Sequence, residues 1–506
     1  MRRSRGTRSL ALALSLMLAG TLTGCNSNEG GPSGTGEGAD ASGKLNPVTL
    51  KIMFPGDPPS NWSEVKGELE KRLAGSLNVK LNVVFIPWAD VMQKRQVALS
   101  SAEDYDLIWD NNPVQSIAAG LYEPLDELIE KHGPDIKSTR SPQLLEANKV
   151  NGKLYAVPLE VNFIRPWTFV IRKDIREKLG IPPIKSYDEL VQFMYAVKEK
   201  DPGITPFIPN GSEHVGVRMA SMLDPGANLA PVLNYAGLYT KGNDGKVYNI
   251  FDDMDPMMMM KNFEMNHKFY KDGIFPKDVL LLKNGEFTKG KAAVTTFFDF
   301  GANLGTRTGL EKSVPGATAE AFSLYDPGMK LSSTYKAGNY IAVPVVSKNK
   351  ERAIQFINAL NQKDNYDLLA YGIKGKNWED AGEGLYKPVK ENPYTGIPFA
   401  WGWNPKLDRI DATMDKEVIK LNQWERDPNN FTADILSGFT FDPSPVSNEI
   451  AQLSSMSKEL FEPVVLGVIE PNEGLAKFKE KAYGHVKKIQ AEYQKQLDAF
   501  LAGKKK

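Results

Sequence analysis

The sequence predicts an α/β fold of two lobes built on mostly parallel sheets, and three observations carry that prediction. From Val48 onward, strand-like runs alternate with amphipathic runs of helix length, the pattern of parallel strands joined by right-handed crossover helices. A second strand–helix series begins after about residue 166. The body of about 460 residues is too long for one hydrophobic core and calls for two or more.

The first series is regular. VTLKIMF (48–54) is β-rich and apolar, the loop PGDPPSNWS breaks it, and EVKGELEKRL places Val65, Leu69 and Leu73 on one helical face. VKLNVVFI (79–86) reads as the second strand, Val91 to Ser100 as a helix, and YDLIW as the third strand. In open sheets of this kind ligands bind beyond the carboxyl ends of the strands. Asp57 and Trp62 follow the first strand, Trp88 the second, and Asp110 with Asn111 the third.

Farther on, NGKLYAVP (151–158) reads as a turn and strand, and LEVNFIRPWTFVIRKDI continues extended as the crossing into a second lobe. SYDELVQFMYAVKEKD is an amphipathic helix with Ser186 as N-cap and Glu189 three residues on. A helix is expected from about Met257 to Asp272, and a buried strand with an aromatic–acidic turn in GEFTKGKAAVTTFFDFG. KAGNYIAVPVVS (336–347) is a strand returning to the first lobe, two helices follow it, and the chain ends in a long amphipathic helix from Glu473 to Leu501.

The N-terminus has its own logic. Arg2, Arg3, Arg5 and Arg8 precede an apolar run, Leu10 to Leu18, that is too short to span a bilayer and reads as a secretory signal over residues 1–24. Cys25 is the only cysteine in 506 residues and closes the quartet Leu22-Thr23-Gly24-Cys25. Residues 25–46 are rich in Gly, Ser and Asn and form a flexible tether. With no second thiol, no disulfide can form within the chain, and stability must come from burial. Without the leader arginines the chain carries 58 basic and 62 acidic residues, a balance that invites no nucleic acid.

Cys25 and its flanks resemble the lipobox of bacterial lipoproteins, whose diacylated cysteine anchors stably in the bilayer. The stretches AAGLYEPLDELIEKHGPDI, NGKLYAVP, LGIPP…SYDEL, FTKGKAAV and LLAYGIKGKNW, in that order, resemble the family 1 extracellular solute-binding proteins of ABC importers. More closely, the chain is similar to the LipO/LplA-type lipoproteins of Gram-positive bacteria, and GFTFDPSPVSNEIAQL resembles their extra C-terminal domain. The resemblance implies a periplasmic-binding-protein-like fold (type II) with a carbohydrate cleft between the lobes, lobe closure on the ligand, no cofactor, a monomer, and a permease partner in the membrane. The expected layout is 47–165 plus about 315–347 for lobe 1, 166–314 plus about 348–400 for lobe 2, and 401–506 as a helical extension packing on the lobes.

Sugar recognition needs aromatic faces for C–H packing beside Asp, Glu, Asn or Arg for hydroxyls. WDNN (109–112), LEVNFIRPW (159–167), TFFDF (296–300) and WGWN (401–404) have that form. The candidate ligand contacts are Asp57, Trp62, Trp88, Asp110, Asn111, Glu160, Arg165, Phe298, Asp299, Asn339, Trp401 and Trp403. Each has a structural alternative. Glu160 could pair with Arg165 at the hinge, Asp110 and Asn111 could cap a turn, one of Phe297 and Phe298 belongs in the core, and Trp401 with Trp403 could staple the extension to the core. Trp167 and Trp378 are weaker candidates. Asp252, Asp253 and Asp255 lack EF-hand spacing, and Met257 to Met260 suits adaptable packing.

A lipid-anchored glycoside hydrolase is the competing class, and it would need two carboxylates across a sugar. No HExxH or GxSxG motif is present, and His132, His214, His267 and His485 are far apart. A sugar-sensing receptor would share the fold, and the sequence does not separate it from an importer subunit.

Overall fold

The computed structural model describes residues 45–504 apart from 165–167, 213–214, 217–218, 220–222, 224–228, 234–236, 254–258, 283–284 and 298–303. The leader, Cys25, Arg165, Trp167, Phe298 and Asp299 therefore lie outside the described residues, as do Asp255, Met257 and Met258.

The chain opens with β1 (Val48–Pro55), α1 (Trp62–Leu73), β2 (Val79–Ile86), α2 (Val91–Ser100) and β3 (Leu107–Asp110), and after several short helices reaches β4 (Ala156–Leu159). It then crosses to β5 (Thr168–Arg172), α3 (Tyr187–Lys200), β6 (Thr205–Phe207), α4 (Lys261–Lys271), β7 (Ala292–Phe297), α5 (Leu304–Ser313) and β8 (Ala319–Phe322). It returns through β9 (Leu331–Ser333), β10 (Asn339–Ala342), α6 (Lys350–Ala359) and α7 (Lys363–Tyr371). The last part comprises β11 (Trp378–Asp380), β12 (Leu385–Pro388), β13 (Ile410–Asp411), α8 (Lys416–Glu425), β14 (Phe431–Ala433) and α9 (Pro471–Lys504).

Local signals act where the residues place them. Val65, Leu69 and Leu73 are buried along α1. The Ser186 hydroxyl accepts from the Glu189 amide at 3.2 Å, and the Glu189 carboxylate accepts from the Lys185 amide at 2.7 Å, so two otherwise orphaned amides are satisfied at the start of α3.

The first sheet has the order β2-β1-β3-β10-β4. β1, β2 and β3 are parallel, and β10 runs antiparallel to both β3 and β4. The second sheet, β8-β5-β7-β6, is mixed rather than mostly parallel. β6 and β7 are parallel, but β5 opposes β7 and β8, because it brings the chain in from the other lobe instead of following a crossover helix.

Two boundaries need correction. Residues 348–400 do not belong to lobe 2: Ala353, Ile354, Phe356 and Ile357 of α6, and Leu368 and Leu369 of α7, share the first core with Leu50, Ile52 and Phe54 of β1. The extension does not begin at 401 either. Trp401 is 1% exposed, with its ring 3.9 Å from that of Phe54 and 5.3 Å from that of Trp62, so it closes the first core. For α6 and α7 chain order pointed to the second lobe and the apolar faces found their cover on the first; for Trp401 it pointed to the extension and the ring found its cover in the first core.

The second core is built around Phe169, Phe193, Phe207, Phe263 and Phe275, and the C-terminal helix completes it. Phe478, Ala482, Val486, Ile489, Tyr493 and Leu497 form a buried stripe at steps of three and four along α9. Asp252, in the acidic stretch that lacks EF-hand spacing, accepts from Tyr483 at 3.0 Å and pairs with Lys487 at 3.3 Å, tying α9 to this lobe.

A third, smaller core lies where the chain passes between the lobes. Phe163, Leu331, Tyr335, Val418, Trp424 and Phe431 are buried together, with ring centroids 5.4 Å apart for Phe163–Tyr335 and 5.0 Å for Trp424–Phe431. β9 pairs in parallel with β14, the Phe163 amide donates to the Glu425 carbonyl at 2.9 Å, and Tyr335 donates to the Pro428 carbonyl at 3.0 Å. Both crossing segments are thus sewn to a third stretch, residues 416–433.

Trp401→Ala should destabilise the protein by about 3–5 kcal/mol through loss of buried ring area and the cavity left behind; chemical denaturation measures it, and an unchanged midpoint would contradict the core assignment. A pH effect follows from Lys336, between β9 and β10, which donates to Thr440 at 2.9 Å and whose ammonium burial pushes down to about 8 from 10.5. Between those two values the unfolded chain binds this proton more tightly than the folded one, so this group makes stability rise as pH increases from about 8 to about 10.5. Lys336→Met should flatten that part of the melting-temperature profile.

Candidate functional site

The carboxyl edge of the first sheet collects most of the sequence-predicted residues, because β1, β2, β3 and β4 all end there. This edge is also where the lobes join: β4 leads out through Glu160 into the first crossing segment, and β10 starts at Asn339 from the second. The backbone turns at once after β1. Gly56 has φ +91, its amide donates to the Ile86 carbonyl at 2.7 Å, and an added Cβ would meet the Trp88 indole at 3.4 Å. Glycine is needed here for the left-handed turn.

Trp88 is the most exposed tryptophan at this edge, with 55% of its surface open. Its ring stands perpendicular to that of Trp109 with centroids 5.4 Å apart. Trp109 is 2% exposed and donates from Nε1 to Asn339 Oδ1 at 3.1 Å. One aromatic therefore forms a shelf and the other its fixed backing, and Asn339 holds the backing in place. Sequence reasoning valued Asn339 as a ligand contact; here its carbonyl oxygen orients Trp109.

Asp110 requires a correction. It is fully buried, pairs with Arg95 Nη1 at 2.9 Å, and accepts from Tyr122 and from the Asn112 amide, both at 2.8 Å. Burial holds its carboxyl above the usual carboxylate range, against the pull of the Arg95 charge. Both oxygens are engaged in the fold, so Asp110 docks α2 on β3 rather than meeting a ligand. Asn111, the next residue, is exposed and accepts from Arg95 Nη1 at 3.4 Å. Asp57 is exposed in the loop after β1.

Glu160 is 5% exposed and accepts from the Gly338 amide at 3.1 Å. Its carboxylate links the outgoing and returning segments, a structural role in place of the expected ligand contact. Trp62 is half-buried between the rings of Phe85, 5.6 Å away, and Trp401. Trp401 is core and offers no stacking face. Trp403 is half-buried against the first core and a satellite cluster, with its carbonyl 3.5 Å from Arg140 Nη2. Of the two tryptophans of WGWN, Trp401 serves the core and Trp403 keeps part of its side chain exposed. From the second lobe, Phe297 is half-buried at the end of β7.

The structure brings Asp57, Trp88, Asn111, Glu160 and Asn339 to one edge and buries Trp401 in the core behind it. Sequence reasoning missed Trp109 and Arg95. The signal for Arg95 was present: with Val91 and Leu99 it shares the buried face of α2, and an arginine on such a face needs an acid partner nearby. The chemistry on offer is stacking on an aromatic ring and hydrogen bonding to an amide and a carboxylate. Among the described residues no group of three or more His, Cys, Asp or Glu is placed to hold a metal ion.

Comparison with known proteins agrees with this geometry. Residues 69–374 match the family described as bacterial extracellular solute-binding protein, and residues 435–502 match a domain of unknown function, DUF3502. A carbohydrate ABC transporter substrate-binding protein of Streptococcus pneumoniae is 28% identical over 98% of this chain and 97% of its own length. Lipoprotein LipO of Bacillus subtilis is 23% identical, with 83% of each chain covered. The crystal structure of the N-glycan transport solute binding protein NgtS from Streptococcus pneumoniae superposes with a TM-score of 0.76 at 26% identity, covering 91% of this chain and all of that one. The same protein in complex with Man5GlcNAc gives 0.69 at 26% identity, over 91% and 99% of the two chains. With its two lobes, a polar-aromatic edge between them and a family match over three fifths of its length, the chain belongs to the bacterial extracellular solute-binding proteins, receptors that hold a solute without transforming it.

Proposed function

We propose that this protein is the lipid-anchored receptor of a carbohydrate ABC importer, capturing an oligosaccharide between its lobes and delivering it to a permease in the membrane. The observation that carries the reading is the Trp88–Trp109 pair at the joining edge of the first sheet: an exposed indole face with a rigid backing, flanked by the exposed amide of Asn111 and carboxylate of Asp57. A pyranose ring packs its C–H face on such a shelf and directs its hydroxyls to the polar flanks. The whole-length likeness to a carbohydrate-transport receptor supports the solute class, and the NgtS complexes favour mannose-containing N-glycan fragments. Cys25, at the end of a short apolar leader and ahead of a polar tether, supports the anchor.

The deciding experiment is a thermal-shift screen against oligosaccharides that include Man5GlcNAc, followed by recovery of each hit and determination of its mass. A shift with the sugar returned intact is the expected result. A shortened sugar would make the protein a hydrolase, and no shift across the panel would overturn the carbohydrate reading. Trp88→Ala should weaken oligosaccharide binding about tenfold, equal to about 1.4 kcal/mol, with the melting temperature unchanged because the ring is largely exposed; calorimetric titration reads both affinity and heat. Cys25→Ser should move the protein from the membrane fraction to the medium, which immunoblotting of the two fractions checks.

A further inference from the structure

Beside the apolar joint a second contact links the lobes, and its closing bonds are an ion pair and a hydrogen bond. Arg307 stands on α5, whose Leu310 packs behind the second sheet with Val170 and Ala292. Its guanidinium donates to the Asp411 carboxylate, and its Nη1 donates to Thr413 Oγ1 at 2.9 Å. Asp411 lies in β13, opposite Tyr386 of β12. That small sheet sits on α7 through Trp378, Tyr366 and Tyr371, and α7 is part of the first core. The ion pair therefore spans the two lobes without using either crossing segment.

The two joints differ in kind. The one around Phe163, Trp424 and Phe431 is apolar, and opening it would expose that area to water. The one at Arg307 borders a cavity of about 60 Å³, a volume that water can enter, lined on one side by Lys173, Glu320, Thr413 and Asp415 and on the other by Met414 and Val418 of the apolar joint. Arg307 keeps 22% of its side chain exposed against 2% for Asp411, so on separation the arginine can take up water while the buried carboxylate loses its cation, and that loss favours the closed pair. Asp411 keeps its bonds from Thr413, whose amide donates at 2.8 Å and whose hydroxyl donates at 2.6 Å. Apolar joints persist through a motion, whereas a charged and wettable joint can break and re-form.

We propose that Arg307–Asp411 is an interlobe latch: it stabilises the lobe arrangement seen here and thereby sets how readily the cleft changes shape around a ligand. The latch rests on the binding reading above only for its effect on affinity, since its effect on lobe geometry needs no ligand. If the two lobe arrangements differ in ligand affinity, breaking the pair shifts both the population and the apparent affinity.

The test uses the full chain carrying Cys25→Ser, purified from the medium, so that two introduced cysteines are its only thiols. Lys71→Cys on α1 and Lys271→Cys on α4, both exposed, carry spin labels, one on each lobe, and pulsed electron spin resonance gives the distance distribution between them. Arg307→Met and Asp411→Asn should each broaden or shift that distribution in the absence of sugar, and the double variant should do no more than either alone. The affinity for Man5GlcNAc should change in the same direction in both single variants, by about fivefold or more. An unchanged distance distribution in Arg307→Met overturns the latch, whatever the sugar result. Should Asp411→Asn fail to fold, Arg307→Met on its partly exposed helix decides alone. Absence of Man5GlcNAc binding to the parent protein would count against the proposed ligand and leave the distance measurement to judge the latch.

Discussion

Two lobes that move against each other cannot share a continuous hydrophobic core, yet two bare crossing segments would leave their relative position undefined. The small core of Phe163, Leu331, Tyr335, Trp424 and Phe431 resolves that conflict, and the rest of the architecture depends on it. It is too small to merge the lobes and apolar enough to stay closed in water. Residues 416–433 matter here as much as the crossing segments, since the β9–β14 pairing and the Phe163–Glu425 bond add a third chain at the pivot. Because α9 packs its buried stripe onto the second core, this lobe and the C-terminal region form one body beyond the pivot.

The polar edge follows a similar division of labour. Buried groups there build a rigid frame, and exposed groups remain available. Asp110, Arg95 and Tyr122 fasten α2 to the end of β3, Asn339 orients Trp109, and Glu160 joins the outgoing chain to the returning one. What is left facing outward is a small set: Trp88, Asn111 and Asp57. In the proposed binding mode, preorganisation of this kind lowers the ordering cost, because Trp88 is already backed by Trp109 before a ligand is met.

Much of the fold was legible in the sequence because its signals are local. The spacing of Val65, Leu69 and Leu73, the Ser186–Glu189 box and the stripe on α9 each act within one element, and each appears where the residues place it. What the sequence concealed was pairing at long range. The apolar faces of α6 and α7 are plain, but nothing local says which lobe will cover them. WGWN satisfies the composition of a sugar site and of a core staple equally well, and only the contact of Trp401 with Phe54 and Phe356 separates the two. WDNN combines a backing ring, a buried acid and an exposed amide in adjacent residues, roles set by which side of β3 and its turn each occupies. Composition pointed to the carboxyl edge of the sheet, and burial divided the labour along it.

The two ends of the folded body lie on different lobes: β1 opens the first sheet, and α9 closes the second core. A pull applied between the termini therefore runs through the joint as well as through both lobes. Every part of that path carries the same load, and the joint, whose apolar core is smaller than that of either lobe, should yield before the lobes do. Mechanically the molecule is a pair of stiff blocks in series with one compliant element.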